Sequence, residues 1–148
     1  MHRRLFSALL VVAAAAFIVV PARAQGRQPV VPAGMQASPM LTPGIRTGNL
    51  VYASGQLGLR RENPDTTIQG QTAIALENTR RVFETAGTSM ANAVKCTVFL
   101  VELKDFQGMN QAYREFWPAS PPARSTVVVA ALVAPGAKVE IECVAAMP

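Results

Sequence analysis

The chain has 148 residues, of which 50% are hydrophobic and 16% are charged. This length suits one compact domain and is short for two ordinary ones. The apolar share indicates a globular core and excludes an intrinsically disordered chain.

The first 24 residues have the pattern of a secretory signal peptide. Arg3 and Arg4 precede an almost purely apolar run over residues 5–20, Pro21 interrupts that run, and an Ala-Arg-Ala sequence ends at Ala24. We therefore expect cleavage after Ala24 and export, most simply to the periplasm, without stable membrane association afterwards. An uncleaved membrane anchor is the alternative, but the run is shorter than the roughly 20 residues that span a bilayer.

Removal of this segment would change the charge of the protein and its range of chemistry. The segment holds three of the 14 basic residues, which leaves 11 basic and nine acidic residues and a net charge of +2. No basic cluster that would indicate nucleic-acid binding remains. The only histidine, His2, is also removed, so Ser-His-Asp, Cys-His and histidine-based metal chemistry are excluded. We expect no metal and no cofactor.

The next part of the chain predicts a leader, a strand and a loop. Residues 25–37 are rich in Pro and Gly without periodicity, and are interpreted as a flexible leader to a domain over residues 38–148. A Gly-Asn turn then precedes a short strand over residues 50–54, which Gly55 stops. Residues 60–66 form a polar loop.

A helix begins at about Ile68 and is stopped by Gly87, which tolerates a left-handed backbone. Its apolar stripe recurs at spacings of three and four residues, through Thr72, Ala75, Leu76, Thr79, Val82, Phe83 and Ala86. Residues 93–101 follow as a largely buried strand.

A second helix is predicted to begin with Asp105 as its N-cap and to end before Pro118. Its inward face contains Phe106, Met109, Asn110, Tyr113, Phe116 and Trp117. Two strands over residues 124–133 and 138–145 follow, joined by a Pro-Gly turn and interpreted as a hairpin. The order predicts an α+β fold, with a mixed β-sheet and two helices packed on one face.

One strand segment, residues 126–132, is apolar on both faces. Helices can cover only one of those faces, and nothing else in so short a chain can cover the other. A homo-oligomer packed through sheet faces is the simple physical solution.

The two cysteines, Cys96 and Cys143, each lie in an apolar, strand-like run. Two thiols alone cannot form a zinc site. A disulfide requires the two Cα atoms to lie within about 7 Å. The favoured interpretation is two small buried apolar residues, and the disulfide stays open as the alternative.

Arg124, Glu140 and Glu142 are the main candidates for chemistry. Arg124 opens an apolar strand, and the two glutamates lie two residues apart on the last strand, so their side chains share a face. A structural ion pair is one explanation. The other is a pocket in which Arg124 binds a substrate carboxylate and a glutamate handles a proton or positions a water.

Several segments, taken in order, resemble the RidA (YjgF/YER057c/UK114) family. They include residues 48–56 with their Ser-Gly-Gln turn, residues 105–110, the Pro-Ala-Arg-Ser sequence at 122–125 and the Val-Glu-Ile-Glu sequence at 139–142. The resemblance implies a chorismate-mutase-like fold and a homotrimer with sites at the subunit interfaces. It also implies cofactor-independent hydrolysis of imines and enamines, such as 2-aminoacrylate, to 2-keto acids and ammonia.

The resemblance also implies roles for single residues. Arg124 matches the arginine that binds the substrate carboxylate, and Glu140 matches the glutamate that positions the attacking water. Ser54 and Asn110 match positions that line the site. Thr126 occupies a site position where the family often has cysteine.

Two other functions remain open at this stage. One is a non-catalytic trimer that binds small carboxylates or acts as a chaperone-like module, which would need Arg124 and not Glu140. The other is an endoribonuclease, which the absence of a basic stripe and of a mature histidine disfavours.

Overall fold

A computed structural model of the chain describes residues 26–59 and 65–148. The predicted signal peptide and most of the predicted polar loop lie outside the described residues. Within the described ranges, no helix is long and apolar enough to cross a membrane.

Six strands form one mixed sheet in the order β1-β2-β3-β6-β4-β5, in which only β4 and β5 run parallel. The strands are β1 Gln28–Val30, β2 Gly44–Thr47, β3 Leu50–Leu57, β4 Ala93–Leu100, β5 Ala123–Val128 and β6 Val139–Ala146. Two helices, α1 Ile68–Ala86 and α2 Phe106–Phe116, complete the predicted α+β fold.

The predicted hairpin between the last two strands is wrong. β5 pairs in parallel with β4 at the sheet edge, whereas β6 lies between β3 and β4 and pairs with both. The ten residues between β5 and β6 are long enough to carry the chain past β4. β5 also ends at Val128, five residues before the predicted end, and Val133 is 93% exposed.

Helix α1 has the predicted bounds because both ends are specified locally. Thr67 caps the N-terminus by accepting a hydrogen bond from the backbone N–H of Gly70, and Gly87 ends the helix with φ of 88°. Helix α2 follows a short 3₁₀ turn and has Asp105 at its N-cap position, as predicted, but the Asp105 side chain makes no cap hydrogen bond. The Asp105 carboxylate instead lies 3.6 Å from Lys138 Nζ.

The predicted flexible leader contains a strand. β1 pairs with β2, with Gln28 opposite Arg46 and Val30 opposite Gly44, and Val30 is buried in the core. The three residues of β1 are too few to give a recognisable strand pattern in the sequence. Pro29, which lacks a backbone N–H, is tolerated because β1 is an edge strand. β1 therefore extends the sheet ahead of the predicted domain, which begins at residue 38.

Alternation along β6 separates the two faces of the sheet. Val139, Ile141 and Cys143 are buried in the core with residues of both helices, whereas Glu140 and Glu142 face the other side. The helices therefore cover one face, as predicted. The other face, which we call the open face, has no covering element among the described residues.

Cys96 and Cys143 form a disulfide across β4 and β6, where they are paired in register and buried. The favoured interpretation of two free thiols is therefore wrong, and the alternative interpretation, a disulfide, is correct. The sequence could not decide between free thiols and a disulfide, because the hairpin interpretation did not show which strand pairs with β4.

We expect reduction of this disulfide, or the paired change Cys96→Ala and Cys143→Ala, to lower the free energy of unfolding by about 2–4 kcal/mol, since the bond closes a long loop in the unfolded chain. Thermal unfolding of oxidised and reduced protein measures the effect. Intact-mass analysis without reductant is the control. Two free thiols in the air-purified protein would contradict the assignment.

Candidate active site

Arg124 is held at the start of β5 by contacts with α2. Its Nη2 donates a hydrogen bond to Asn110 Oδ1 at 2.7 Å, and its Cζ lies 4.6 Å from the ring centroid of Tyr113. Nη1 lies 3.8 Å from Met109 Sδ. These contacts fix the plane of the guanidinium and leave donor groups for a ligand.

The guanidinium lines a cleft of about 340 Å³ between α2 and the segment that enters β5. The lining residues are Gln107, Asn110, Tyr113, Arg114, Pro121, Pro122 and Arg124. None of them carries a carboxylate, while two are arginines. A small concave site with fixed donors and uncompensated positive charge is suited to an organic anion.

Tyr113 forms a wall of this cleft and belongs to the core, as its position in the helix stripe predicted. Its ring packs on Trp117 with centroids 4.7 Å apart. Burial raises the pKa of Tyr113 to about 12, although the nearby Arg124 cation acts in the opposite direction. The phenol therefore keeps its proton near neutral pH and cannot act as a base there.

Glu140 lies on the open face of β6, paired with Leu57 of β3 and Phe99 of β4. A Cβ atom added at Gly55 would lie only 1.9 Å from Glu140 Oε1, so the carboxylate packs against the bare backbone of Gly55. Glu142 shares this face, as predicted, and is more exposed. Gly55 thus makes room for the Glu140 side chain.

Ser54 precedes Gly55 at the irregular part of β3. Its Oγ donates to the carbonyl of Thr42 at 2.6 Å, and its N–H donates to the carbonyl of Pro43 at 3.0 Å. The hydroxyl oxygen keeps acceptor capacity. Ser54 lines a cavity on the open face together with Tyr52 and Glu142.

Thr126 lies two residues after Arg124 on β5, with its side chain on the same face. Its Oγ1 is buried and has no hydrogen-bond partner among the described residues. Thr126 therefore shares the helix side of the sheet with Arg124, but it is not among the residues that line the cleft.

Arg124 and Glu140 do not meet within one chain. Arg124 pairs with Cys96 and Glu140 with Phe99, and residues three apart on a strand point to opposite faces. No ion pair joins them in the described part of the chain. The structural ion pair within one chain is therefore wrong, and Arg124 and Glu140 lie on opposite faces of the sheet.

Sequence reasoning missed Arg114 and Gln107, which line the cleft. Both lie on the face of α2 that contains Asn110, at spacings of three and four residues. Placing the polar residues of α2 around Asn110 would have found them. Across the described ranges, no group of three or more His, Cys, Asp or Glu side chains could hold a metal ion.

The fold is a mixed sheet with two helices on one face, with a cleft lined by two arginines at the edge of the sheet. A family model described as Endoribonuclease L-PSP matches residues 33–147. The chain belongs to this family, which includes the RidA/YjgF proteins.

Three named relatives are similar to this chain over about two thirds of its length. Protein mmf2 of Schizosaccharomyces pombe, a mitochondrial protein, is 40% identical over 69% of this chain and 83% of its own. The chloroplastic Reactive Intermediate Deaminase A of Arabidopsis thaliana is 40% identical over 70% of this chain, which spans 56% of that relative. A 2-iminobutanoate/2-iminopropanoate deaminase of Dermatophagoides farinae is 39% identical over 68% of this chain and 80% of its own.

Solved structures show the same fold. The yeast protein YEO7 superposes with a TM-score of 0.76 at 28% identity, covering 83% of this chain and 100% of its own. The YjgF gene product of E. coli gives a TM-score of 0.71 at 32% identity, covering 80% of this chain and 94% of its own.

Proposed function

We propose that the protein is a cofactor-independent hydrolase that deaminates reactive imino acids to 2-keto acids and ammonia. The observation that carries this proposal is the fixed Arg124 guanidinium in a cleft to which its own chain contributes no carboxylate, which suits the carboxylate of a small 2-imino acid. Two relatives at about 40% identity bear the names of deaminases of this kind, which supports the same reaction class.

The reaction is a hydrolysis without oxidation or reduction. The oxygen of water forms a bond to the imine carbon, the carbon–nitrogen bond breaks, and both water hydrogens leave on nitrogen as ammonia. An imine carbon is already electrophilic, so the site must hold the carboxylate, place one water and move protons. Arg124 would do the first of these tasks, with Asn110 and Thr126 beside it. Glu140 would orient the water and relay its proton.

We infer that the working form is a homotrimer with each site shared between two copies. Arg124 and Glu140 lie on opposite faces of one sheet, so one copy cannot supply both groups to one substrate. The open face also leaves Tyr52 and Val127 each 44% exposed. A second copy packed on this face would bury apolar surface and complete the site.

We also propose that the protein is exported through the apolar segment at residues 5–20. The disulfide between Cys96 and Cys143 supports this location, because such bonds persist in oxidising compartments. N-terminal sequencing of protein recovered from the periplasm tests it. A mature chain that begins at Gln25 is expected, and an uncleaved chain in the cytosol would contradict the proposal.

The test of the function is ammonia release from imino acids generated in place by an amino-acid oxidase. Mature wild-type protein should accelerate this release above the spontaneous rate. A protein that binds 2-keto acids without accelerating release would instead be the carboxylate-binding module. RNA cleavage with salt-sensitive RNA binding, and no deamination, would favour the endoribonuclease.

Gly55 provides a test of how Glu140 is placed. Gly55→Ala adds a methyl group where the Glu140 carboxylate lies. We expect kcat to fall by about 10-fold or more, because a displaced general base loses its alignment with water. The melting temperature should change little, since the side chain can move aside. Gly26→Ala, where a Cβ meets nothing within 4 Å, is the control. Unchanged kcat in Gly55→Ala would contradict this role.

A further inference from the structure

The cleft that contains Arg124 holds a second cation that a simple imino acid does not use. Arg114 lines the same cleft from α2, one turn beyond Asn110. Neighbouring residues on a helix do not face each other, so Glu115 points away from the guanidinium of Arg114. Arg114 forms no ion pair with any other described residue.

The two arginines differ in how they are held. Arg124 is half-buried and fixed by Asn110 and Tyr113, whereas Arg114 is exposed at the rim. Gln107 adds a neutral donor on the same face of α2. This arrangement provides one rigid anion site in the cleft and one adaptable site at its mouth, in a volume of about 340 Å³.

From this pairing we propose that the preferred substrate carries a second carboxylate, and is a short dicarboxylic imino acid. The first carboxylate binds Arg124 and the side-chain carboxylate binds Arg114. Pro121 and Pro122, on the opposite wall, provide apolar contact for the carbon chain between them. The proposal rests on the deaminase function and assigns Arg114 as its specificity-determining residue.

The test compares 2-iminoglutarate with 2-iminopropanoate, generated in place from glutamate and alanine. We expect the wild-type kcat/KM to favour 2-iminoglutarate by about 2- to 5-fold, since an ion pair with an exposed cation contributes little. Arg114→Gln should lower this ratio by roughly the same factor, chiefly through KM. Arg114→Lys should restore part of it. Arg80→Gln, which removes a cation from the surface of α1, is the matched control and should leave the ratio unchanged.

Equal kcat/KM for the two imines in the wild type, or the same ratio in wild type and Arg114→Gln, would overturn the proposal and leave the deaminase intact. If neither imine is hydrolysed, calorimetric binding of 2-oxoglutarate and pyruvate separates the two ideas. Tighter binding of 2-oxoglutarate that is lost in Arg114→Gln would support the dicarboxylate site although the deaminase fails. Equal binding of both acids would overturn the dicarboxylate site as well.

Discussion

Replacing Arg124 with alanine is expected to lower kcat/KM for imino acids by about 10²- to 10³-fold, the usual cost of removing one partner of a desolvated charge pair. The loss arises because no other described cation is fixed inside the cleft by both a hydrogen bond and an aromatic ring. Arg124→Lys keeps the charge and loses the planar two-donor geometry, so it should recover only part of the activity.

Arg124 also packs on Tyr113, so the fold of each variant must be checked. Circular dichroism and the oligomeric mass serve this purpose, and Arg124→Lys should be close to wild type in both. Wild-type kcat/KM in a folded Arg124→Ala protein would contradict the carboxylate-binding role.

Glu140→Gln is expected to lower kcat by about 10²-fold or more, because removal of a general base has effects of that size. The amide has nearly the same shape, so packing against Gly55 and assembly should be retained. Binding of 2-keto acids should change little, since the carboxylate is held by Arg124. Glu84→Gln, which removes a carboxylate from the exposed surface of α1, is the control and should leave kcat unchanged.

Measuring binding and turnover separately distinguishes the role of Arg124 from the role of Glu140. Arg124→Ala should weaken binding of a 2-keto acid in calorimetry, whereas Glu140→Gln should slow turnover with binding retained. Equal loss of binding in both variants would mean that Glu140 acts through the structure of the site and not on water.

Local signals predicted the helices well and the strand pairing poorly. The stripe from Thr72 to Ala86 and the stop at Gly87 are specified within a few residues, so the bounds of α1 were predicted correctly. Gly136 does occupy a left-handed turn, with φ of 83°. A turn does not determine which strand the next strand pairs with, however, and β6 lies between β3 and β4.

The wrong hairpin interpretation also left the relative positions of the candidate site residues undetermined. A hairpin would have brought the start of β5 near the end of β6, and it left the offset between Arg124 and Glu140 uncertain. The parallel pairing of β5 with β4 instead places them on opposite faces. The disulfide was undecided for the same reason, since only the register of β4 and β6 places Cys96 opposite Cys143. Resemblance identified the two residues, and only the fold shows that they lie on opposite faces of the sheet.

The measurement that tests the account most directly is ammonia release by mixed oligomers of Arg124→Ala and Glu140→Gln chains, refolded together. Each variant alone should be nearly inactive. If each site takes Arg124 from one copy and Glu140 from its neighbour, random mixing in equal amounts restores about a quarter of the wild-type activity, since each of two independent positions is intact half the time. Activity no higher than that of the separate variants, in oligomers shown to contain both chains, would contradict the shared site.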